Sequence, residues 1–218
     1  MDFENAGGGA FVVNITFLNA YRGLHFVGIS NAEIKNIYGS AYDIGLHLGP
    51  NYAIPRLGNH NMSSEYLGFS GLVTDPAQLA AHMNATYATG TAIQAERIHT
   101  TKYVYGHKIG FRRHKTEEMT KGSSGDLNGA IVKNCQIGML NDLDISGPSN
   151  ITGTLMENCA VAVSFKTGGS FSVNNSAIIG SQTWDVLAQT GAINVTINNS
   201  MADVSKFSLN GGSVTGTP

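Results

Sequence analysis

A short apolar motif recurs along this chain, mostly at intervals of 22 to 24 residues, and this repetition restricts the possible folds more than any other feature. Residues 23–26 (Gly-Leu-His-Phe) return 22 positions later as residues 45–48 (Gly-Leu-His-Leu). Related segments follow at 109–112, 137–140, 161–164, 184–187 and 207–210. A repeat of this length predicts stacked structural units, in which each unit contacts only its neighbours.

Within the units, apolar and polar residues alternate, as they do in half-buried β-strands; residues 11–17 are an example. Parallel strands need a crossover, which is usually a helix, but the connecting segments here are too short for helices. The sequence therefore predicts an all-β, right-handed parallel β-helix, a solenoid with strands about 4.8 Å apart. Asparagine recurs at the predicted turns, at Asn134, Asn158, Asn175 and Asn199, because it tolerates left-handed bends.

Residues 50–90 carry no copy of the repeat, and we expect them to form an excursion from the solenoid wall. Asp75 is a good N-cap and Pro76 suits the first helical position, so residues 75–83 are predicted to form a short helix. The repeats on either side of the excursion fit one β-helix, so we expect residues 1–218 to form a single domain. Both ends interrupt the repeat, and we expect the chain to be a module excised from a larger protein.

Composition excludes several classes of partner. Asp, Glu, Lys and Arg make up 13% of the residues and the formal net charge is −2, so no basic excess is present to hold a phosphate backbone. No apolar run approaches the roughly 20 residues that cross a bilayer. The first residues do not form a secretory signal as they stand. We therefore expect neither a nucleic acid nor a membrane as partner.

Three short stretches are similar to parts of large bacterial pectate-lyase-related proteins. They are residues 70–76 (Ser-Gly-Leu-Val-Thr-Asp-Pro), 90–93 (Gly-Thr-Ala-Ile) and 106–111 (Gly-His-Lys-Ile-Gly-Phe). The repeat as a whole resembles the pectate-lyase-like superfamily of right-handed β-helices, which includes pectate lyases, polygalacturonases, phage tailspike depolymerases and xylan-binding modules. The resemblance implies the β-helix fold and a polysaccharide ligand.

The catalytic signatures of that superfamily are missing from the sequence. Polygalacturonases carry Asp-Asp and Gly-His-Gly, whereas this chain has no Asp-Asp and only Gly-His-Lys at residues 106–108. The Arg-X-Pro-X-X-Arg of pectate lyases is absent, and their calcium carboxylates have no match. The resemblance therefore implies no catalytic residue. An enzyme would need paired carboxyls or a base beside a uronic acid; the candidates are Asp43, Glu65 and Glu96, and Arg97, Lys102 and Lys108.

Two outward columns are candidates for ligand binding. In the repeat frame Leu24 and Leu46 point inward, so His25 and His47 point outward and stack one rung apart, and Arg112 is predicted to follow one repeat later. Such a stripe offers hydrogen bonds to glycan hydroxyls; the alternative is an ordinary solvated face.

The same register predicts a second outward column with Thr16, Tyr38 and Tyr103, and Tyr105 on the same face. Tyrosine rings present an apolar face to sugar C–H groups and a hydroxyl for a hydrogen bond. The alternative is a tyrosine covered by the excursion. Tyr52, within the excursion, is a further binding candidate.

All seven histidines lie in the first 114 residues, and only five charged residues follow residue 146. This asymmetry predicts a site in the N-terminal half and structural coils in the C-terminal half.

Two smaller groups leave alternatives open. Asp142 and Asp144, beside Asn141, have the oxygen ligands that suit calcium, although an ordinary polar turn is the favoured interpretation. Cys135 and Cys159 are one coil apart and should be stacked; a buried pair of free thiols is favoured over a disulfide.

The function predicted from these features is a non-catalytic carbohydrate-binding module for plant cell-wall polysaccharide, with xylan as the specific candidate. Such a module would be secreted as part of a larger protein with a catalytic domain, and would need no cofactor. The alternative is a polysaccharide lyase or glycoside hydrolase of the pectate-lyase-like or tailspike type. A structural spacer is a third possibility.

Overall fold

The computed structural model of the protein describes residues 2–4, 11–27, 33–41, 43–48, 56–57, 60–63, 91–95, 103–114, 125–142 and 149–217. Over these residues the chain is all-β, with 22 strands that pair in parallel and wind into a right-handed β-helix. The fold predicted from the repeat is confirmed. Among the described residues the one helical element is the 3-10 turn Val204–Lys206, and no helix there has the length and apolar character to span a bilayer.

The strands stack into three sheets, A, B and C. Sheet A contains β1 (Asp2–Glu4), β3 (Leu24–Val27), β5 (Ile44–Leu48), β8 (Thr91–Ala95), β10 (Ile109–His114), β13 (Ile137–Asp142), β16 (Val161–Phe165), β19 (Trp184–Ala188) and β21 (Phe207–Ser208). Sheet B contains β2 (Phe11–Ala20), β4 (Glu33–Ala41), β7 (His60–Ser63), β9 (Tyr103–Tyr105), β12 (Ile131–Lys133), β15 (Leu155–Glu157) and β18 (Ala177–Ile179), and β6 (Arg56–Leu57) also pairs with β4. Sheet C contains β11 (Gly125–Asn128), β14 (Ser149–Thr152), β17 (Gly169–Asn174), β20 (Ile193–Asn198) and β22 (Val214–Gly216). From β11 to β20 the chain visits sheets C, B and A in that order in every coil.

Each sheet turns a column of apolar side chains into the solenoid interior, and the register stacks like residues on like. All members of these columns are buried. They are Phe111, Met139, Val163 and Val186 in sheet A, Val104, Val132, Met156 and Ile178 in sheet B, and Leu127, Ile151, Val173 and Ile197 in sheet C. Burial of apolar surface, repeated in every coil, is the main favourable term in holding the coils together.

The chain bends from one sheet to the next at residues with positive φ. The four asparagines predicted at turns all adopt this left-handed conformation, with φ between 46° and 54°. They are Asn134 and Asn158, between sheets B and A, and Asn175 and Asn199, between sheets C and B. Gly106, Gly129, Gly153 and Gly180 hold the equivalent positions in other coils. Asparagine and glycine are the residues that adopt this conformation most easily.

A second residue completes most of these corners. The side chain that follows the left-handed residue donates a hydrogen bond to the carbonyl two positions earlier, which lies just before the bend. Ser176 and Ser200 donate in this way at 2.7 Å, His107 through Nδ1 at 3.0 Å and Thr154 at 3.2 Å. Cys135 and Cys159 do so through sulfur at 3.5 and 3.8 Å.

The register corrects two details of the predicted repeat. Strand β8 pairs with β5 on one side and β10 on the other, so Thr91–Ala95 forms a rung that the motif did not reveal. The last repeat is displaced, since Phe207 pairs with Val186 and not with Trp184.

Within the predicted excursion, β6 and β7 pair with β4 and so belong to sheet B. The predicted helix at residues 75–83 lies outside the described residues.

Candidate functional site

The strand pairing of sheet B aligns one column of residues, and those members whose burial is described lie on the outer face of the sheet. Its members occupy successive rungs in register: Thr16, Tyr38, Asn61, Tyr103, Ile131, Leu155, Ala177 and Met201. Tyr38 and Tyr103 thus share one column, as the repeat spacing predicts, with Asn61 on the rung between them. Neighbouring strands are about 4.8 Å apart, so two rungs separate these tyrosines by about 10 Å. We call this row the tyrosine column.

Both tyrosines of the column are partly exposed, while the adjacent residues Ile37 and Val104 are fully buried. This alternation follows from the strand pleat, which sends successive side chains to opposite faces. Tyr105 is two positions after Tyr103 and faces the same way. The Tyr103 and Tyr105 rings lie nearly parallel, at an interplanar angle of 3°, with centroids 6.2 Å apart. Together they form a platform of two rings on the outer face of sheet B.

Beyond Tyr105, the adjacent row of sheet B continues with a charge pair. Lys133 and Glu157 follow in register, and Lys133 Nζ lies 2.6 Å from Glu157 Oε2. Each side chain of the pair is about one-third exposed. The two charges neutralise each other, so this row adds little net charge to the face.

A groove of about 720 Å³ lies at the corner between sheets C and B in the C-terminal coils. Its lining comes from residues 153–155, 175–177 and 199–201, which are equivalent segments of three successive coils, and from Thr217. Leu155, Ala177 and Met201 are also the last members of the tyrosine column, so the column leads directly into the groove. We call it the corner groove.

The polar side chains at the corner groove differ in how much of their hydrogen-bonding capacity is already used within the protein. Ser176 and Ser200 are buried and use their hydroxyls to close the backbone turns. Asn175 and Asn199 are exposed, and Asn199 Nδ2 donates to Asn175 Oδ1 at 2.8 Å. That bond uses one donor and one acceptor of the pair, and each amide has further hydrogen-bonding capacity.

The corner groove was not predicted, because the charge asymmetry favoured the N-terminal half. The signal that could have found it is the Asn-Asn-Ser sequence, which occurs at residues 174–176 and again at 198–200. The two copies are 24 residues apart, which is the length of one coil, so they lie side by side on neighbouring coils.

The second predicted column lies on sheet A. His25 and His47 pair in register and their rings stack, with centroids 4.4 Å apart and an interplanar angle of 5°. Arg112 belongs to the same column, but two rungs beyond His47, because Gln94 of β8 lies between them. The expectation that Arg112 follows one repeat after His47 is therefore wrong, for the same reason that β8 was missed.

Arg112 is held by a carboxylate from the next coil. Its Nε donates to Asp142 Oδ2 at 3.0 Å and its terminal nitrogen contacts the same oxygen, while Lys166 Nζ lies 3.1 Å from Asp142 Oδ1. Burial raises the pKa of Asp142, but hydrogen bonds and charge from Arg112 and Lys166 outweigh burial and bring that pKa below its usual 3.8. The predicted glycan contact is thus a member of an ion-pair cluster.

The same cluster bears on the calcium hypothesis. Both oxygens of Asp142 already accept from cations, and the Asn141 side chain is buried, with Nδ2 donating to Ser149 Oγ at 3.0 Å. Asp144 lies outside the described residues. Across the part of the chain that the structure describes, no group of three or more His, Cys, Asp or Glu side chains is placed to hold a metal ion.

A buried ladder lines the corner between sheets B and A. Cys135 and Cys159 are free thiols on neighbouring coils, as favoured from the sequence, and His107 precedes them on the same corner. Burial lowers the pKa of His107 to about 4, opposed only in part by its bond to the Tyr105 carbonyl. The hydrogen bond that the Cys135 thiol donates to Cys159, together with burial, raises the pKa of Cys135 well above its ordinary value.

The catalytic candidates do not assemble within the described ranges. Asp43 is paired with Arg22, at 2.6 Å from Nε to Oδ2. Lys108 lies half-buried at a corner between sheets B and A. Four further candidates, Glu65, Glu96, Arg97 and Lys102, lie outside the described residues, as does Tyr52.

No protein-family model, curated protein or solved structure matches this chain. The β-solenoid itself is established by the strand topology, whereas the relation to the pectate-lyase-like superfamily stays a prediction based on the sequence.

Proposed function

We propose that this protein is a non-catalytic module that binds an extended polysaccharide along the tyrosine column of sheet B. The observation that carries the proposal is the shared register of Tyr38 and Tyr103, two rungs apart on one outer face, with the Tyr105 ring beside Tyr103. A tyrosine ring packs its apolar face on sugar C–H groups while its hydroxyl bonds to a sugar hydroxyl.

The geometry of the column suits a polymer. The separation of about 10 Å between Tyr38 and Tyr103, set by the strand spacing, is comparable with the length of a disaccharide. A glycan lying across the strands, parallel to the solenoid axis, would place alternate sugars over the two tyrosines. A solenoid presents the same kind of extended surface in every coil.

The narrower parts of the proposal rest on the resemblance to pectate-lyase-like proteins. They are the choice of plant cell-wall polysaccharide, with xylan as the specific candidate, and secretion as part of a larger protein that carries a catalytic domain. The lyase or hydrolase alternative rests on the same resemblance, and the experiment below separates it from binding.

The test is affinity electrophoresis of the purified chain in gels with xylan, mixed-linkage glucan, glucomannan, pectin or alginate. The same mixtures are assayed for new reducing ends and unsaturated products. We expect at least one polysaccharide to retard the protein without new ends. Tyr103→Ala should weaken retardation about fivefold or more, since a lost aromatic contact is worth about 1 kcal/mol or more.

Tyr21→Ala is the matched control, because Tyr21 is 71% exposed and lies outside the tyrosine column. Equal behaviour of the Tyr103→Ala and Tyr21→Ala variants would refute the tyrosine column as the binding face. Product formation would establish an enzyme in place of a binding module.

A further inference from the structure

The corner groove has a translational repeat. Its three lining segments, 153–155, 175–177 and 199–201, are equivalent positions of consecutive coils, and the rungs are about 4.8 Å apart. The groove therefore offers the same set of groups again at each coil. A ligand that repeats along its own length can meet each set in turn, which a compact small molecule cannot do.

The lining combines two kinds of surface. Leu155, Ala177 and Met201 form an apolar floor, and Met201 is 63% exposed. Asn175 and Asn199 form a polar wall, in which the two amide groups are linked by a hydrogen bond from one coil to the next. A sugar unit has the same two-sided character, with C–H groups on its ring faces and hydroxyls at its edges.

The residues that line the groove also favour an uncharged ligand. None of the groove-lining residues carries a charged side chain. A uronate carboxylate placed there would lose hydration without gaining a cationic partner, which is costly. The cationic side chains Arg112 and Lys166 both contact Asp142 near sheet A, away from the groove. A neutral ligand loses no ionic hydration.

We propose that the corner groove is a subsite for an uncharged stretch of polysaccharide, continuous with the tyrosine column. This inference rests on the proposed function, since it assigns the class of sugar and extends the same face into the C-terminal coils. The bound polymer passes from Tyr103 over Ile131 to Leu155 and then lies along Ala177 and Met201. No bond is broken.

The test follows the Met201 methyl group by NMR in the full chain labelled with [13C-methyl]methionine. The probes are a neutral xylo-oligosaccharide, a neutral cello-oligosaccharide and an oligogalacturonate. We expect the Met201 resonance, assigned from the Met201→Leu variant, to shift saturably with at least one neutral probe and not with oligogalacturonate. Met139 and Met156 are buried in the interior and serve as internal controls that should not move.

A blocking variant complements the titration. Ala177→Arg places a long side chain over the groove floor from an outward position, and it should weaken binding of the neutral probe about tenfold or more, by obstructing a site worth over 1.4 kcal/mol. Val204→Arg is the matched control. It adds the same charge, but at a side chain that is 40% exposed and lies outside the groove.

The outcomes separate the two proposals. Any one of three results overturns the groove subsite. The Met201 methyl resonance does not shift with any probe, it shifts with oligogalacturonate alone, or the two arginine variants weaken binding equally. The tyrosine column still stands in that case if Tyr103→Ala weakens retardation and Tyr21→Ala does not. A Met201 shift that Tyr103→Ala leaves unchanged supports the groove and refutes the column. Absence of binding by every probe and polysaccharide refutes both.

Discussion

Acidification should destabilise this protein through one fully buried histidine. His107 follows the left-handed Gly106 at a corner between sheets B and A, and its Nδ1–H donates to the Tyr105 carbonyl at 3.0 Å. Burial disfavours the charged imidazolium and lowers the pKa of His107 from 6.5 to about 4. In the unfolded chain the ring regains its ordinary pKa.

The sign and size of the effect follow from these two values. Between pH 6.5 and about 4 the unfolded chain binds a proton that the folded protein does not, so stability falls as the pH is lowered through this window. Above pH 6.5 the contribution of His107 is constant. The whole window corresponds to about 3 kcal/mol, at 1.36 kcal/mol for each unit of pKa difference.

The neighbouring coils supply the control substitution. Cys135 occupies the position of His107 one coil later and makes the same bond to the carbonyl two residues earlier, at 3.5 Å. His107→Cys therefore keeps the corner geometry and removes the titrating group. Urea unfolding at several pH values between 4 and 7.5 should show a steeper loss of stability for the natural chain than for the variant.

A direct measurement accompanies the unfolding series. The pKa of His107 can be read from the pH dependence of its ring Cε1–H resonance. A ring that titrates near 6.5, or identical pH profiles for the natural chain and His107→Cys, would refute the reasoning.

Four further outcomes follow from the packing. Asn158→Ala should cost roughly 1–2 kcal/mol in chemical unfolding and Asn158→Gly much less, because only the alanine is strained at φ 54°; equal costs would contradict this. Phe165→Ala, at a fully packed core position, should cost about 3–5 kcal/mol in the same assay. Asp142→Asn should lower stability at pH 7 and have little effect well below pH 3.8, since the lowered pKa makes the stabilisation present above that value and lost as pH falls. Cys135 and Cys159 should react with a thiol reagent only after unfolding, because both are buried thiols that form no disulfide; fast reaction of the folded protein would contradict the packing.

The sequence predicts the solenoid well because every coil must satisfy the same local conditions. Tyr38 and Tyr103 share one outward column, because strand pairing keeps outward positions aligned with outward positions from one rung to the next. The left-handed turns at Asn134 and Asn175 are predictable because few residue types tolerate that conformation.

The rest depends on contacts that no single segment reveals. Strand β8 pairs through its backbone, so Thr91–Ala95 needs no glycine motif to join sheet A. The last repeat is displaced because the last coil is shorter: 21 residues separate the paired Val186 and Phe207, against 23 between Val163 and Val186, and the 3-10 turn Val204–Lys206 leads directly into Phe207. The corner groove arises only when turn residues of three coils come together, and its uncharged lining escapes a search based on charge.

The corners of the solenoid also determine where this protein can change in length. Two residues join sheet C to sheet B at each described corner between β11 and β18, and three or four join sheet B to sheet A from β9 to β19. The connections from sheet A to sheet C vary from three residues, after Phe165, to ten, after His114. Surface connections tolerate added length at small entropic cost. Insertions and grafted segments are therefore best placed at the A-to-C corner, which leaves the tyrosine column and corner groove unaltered and makes the solenoid a scaffold with one adjustable edge.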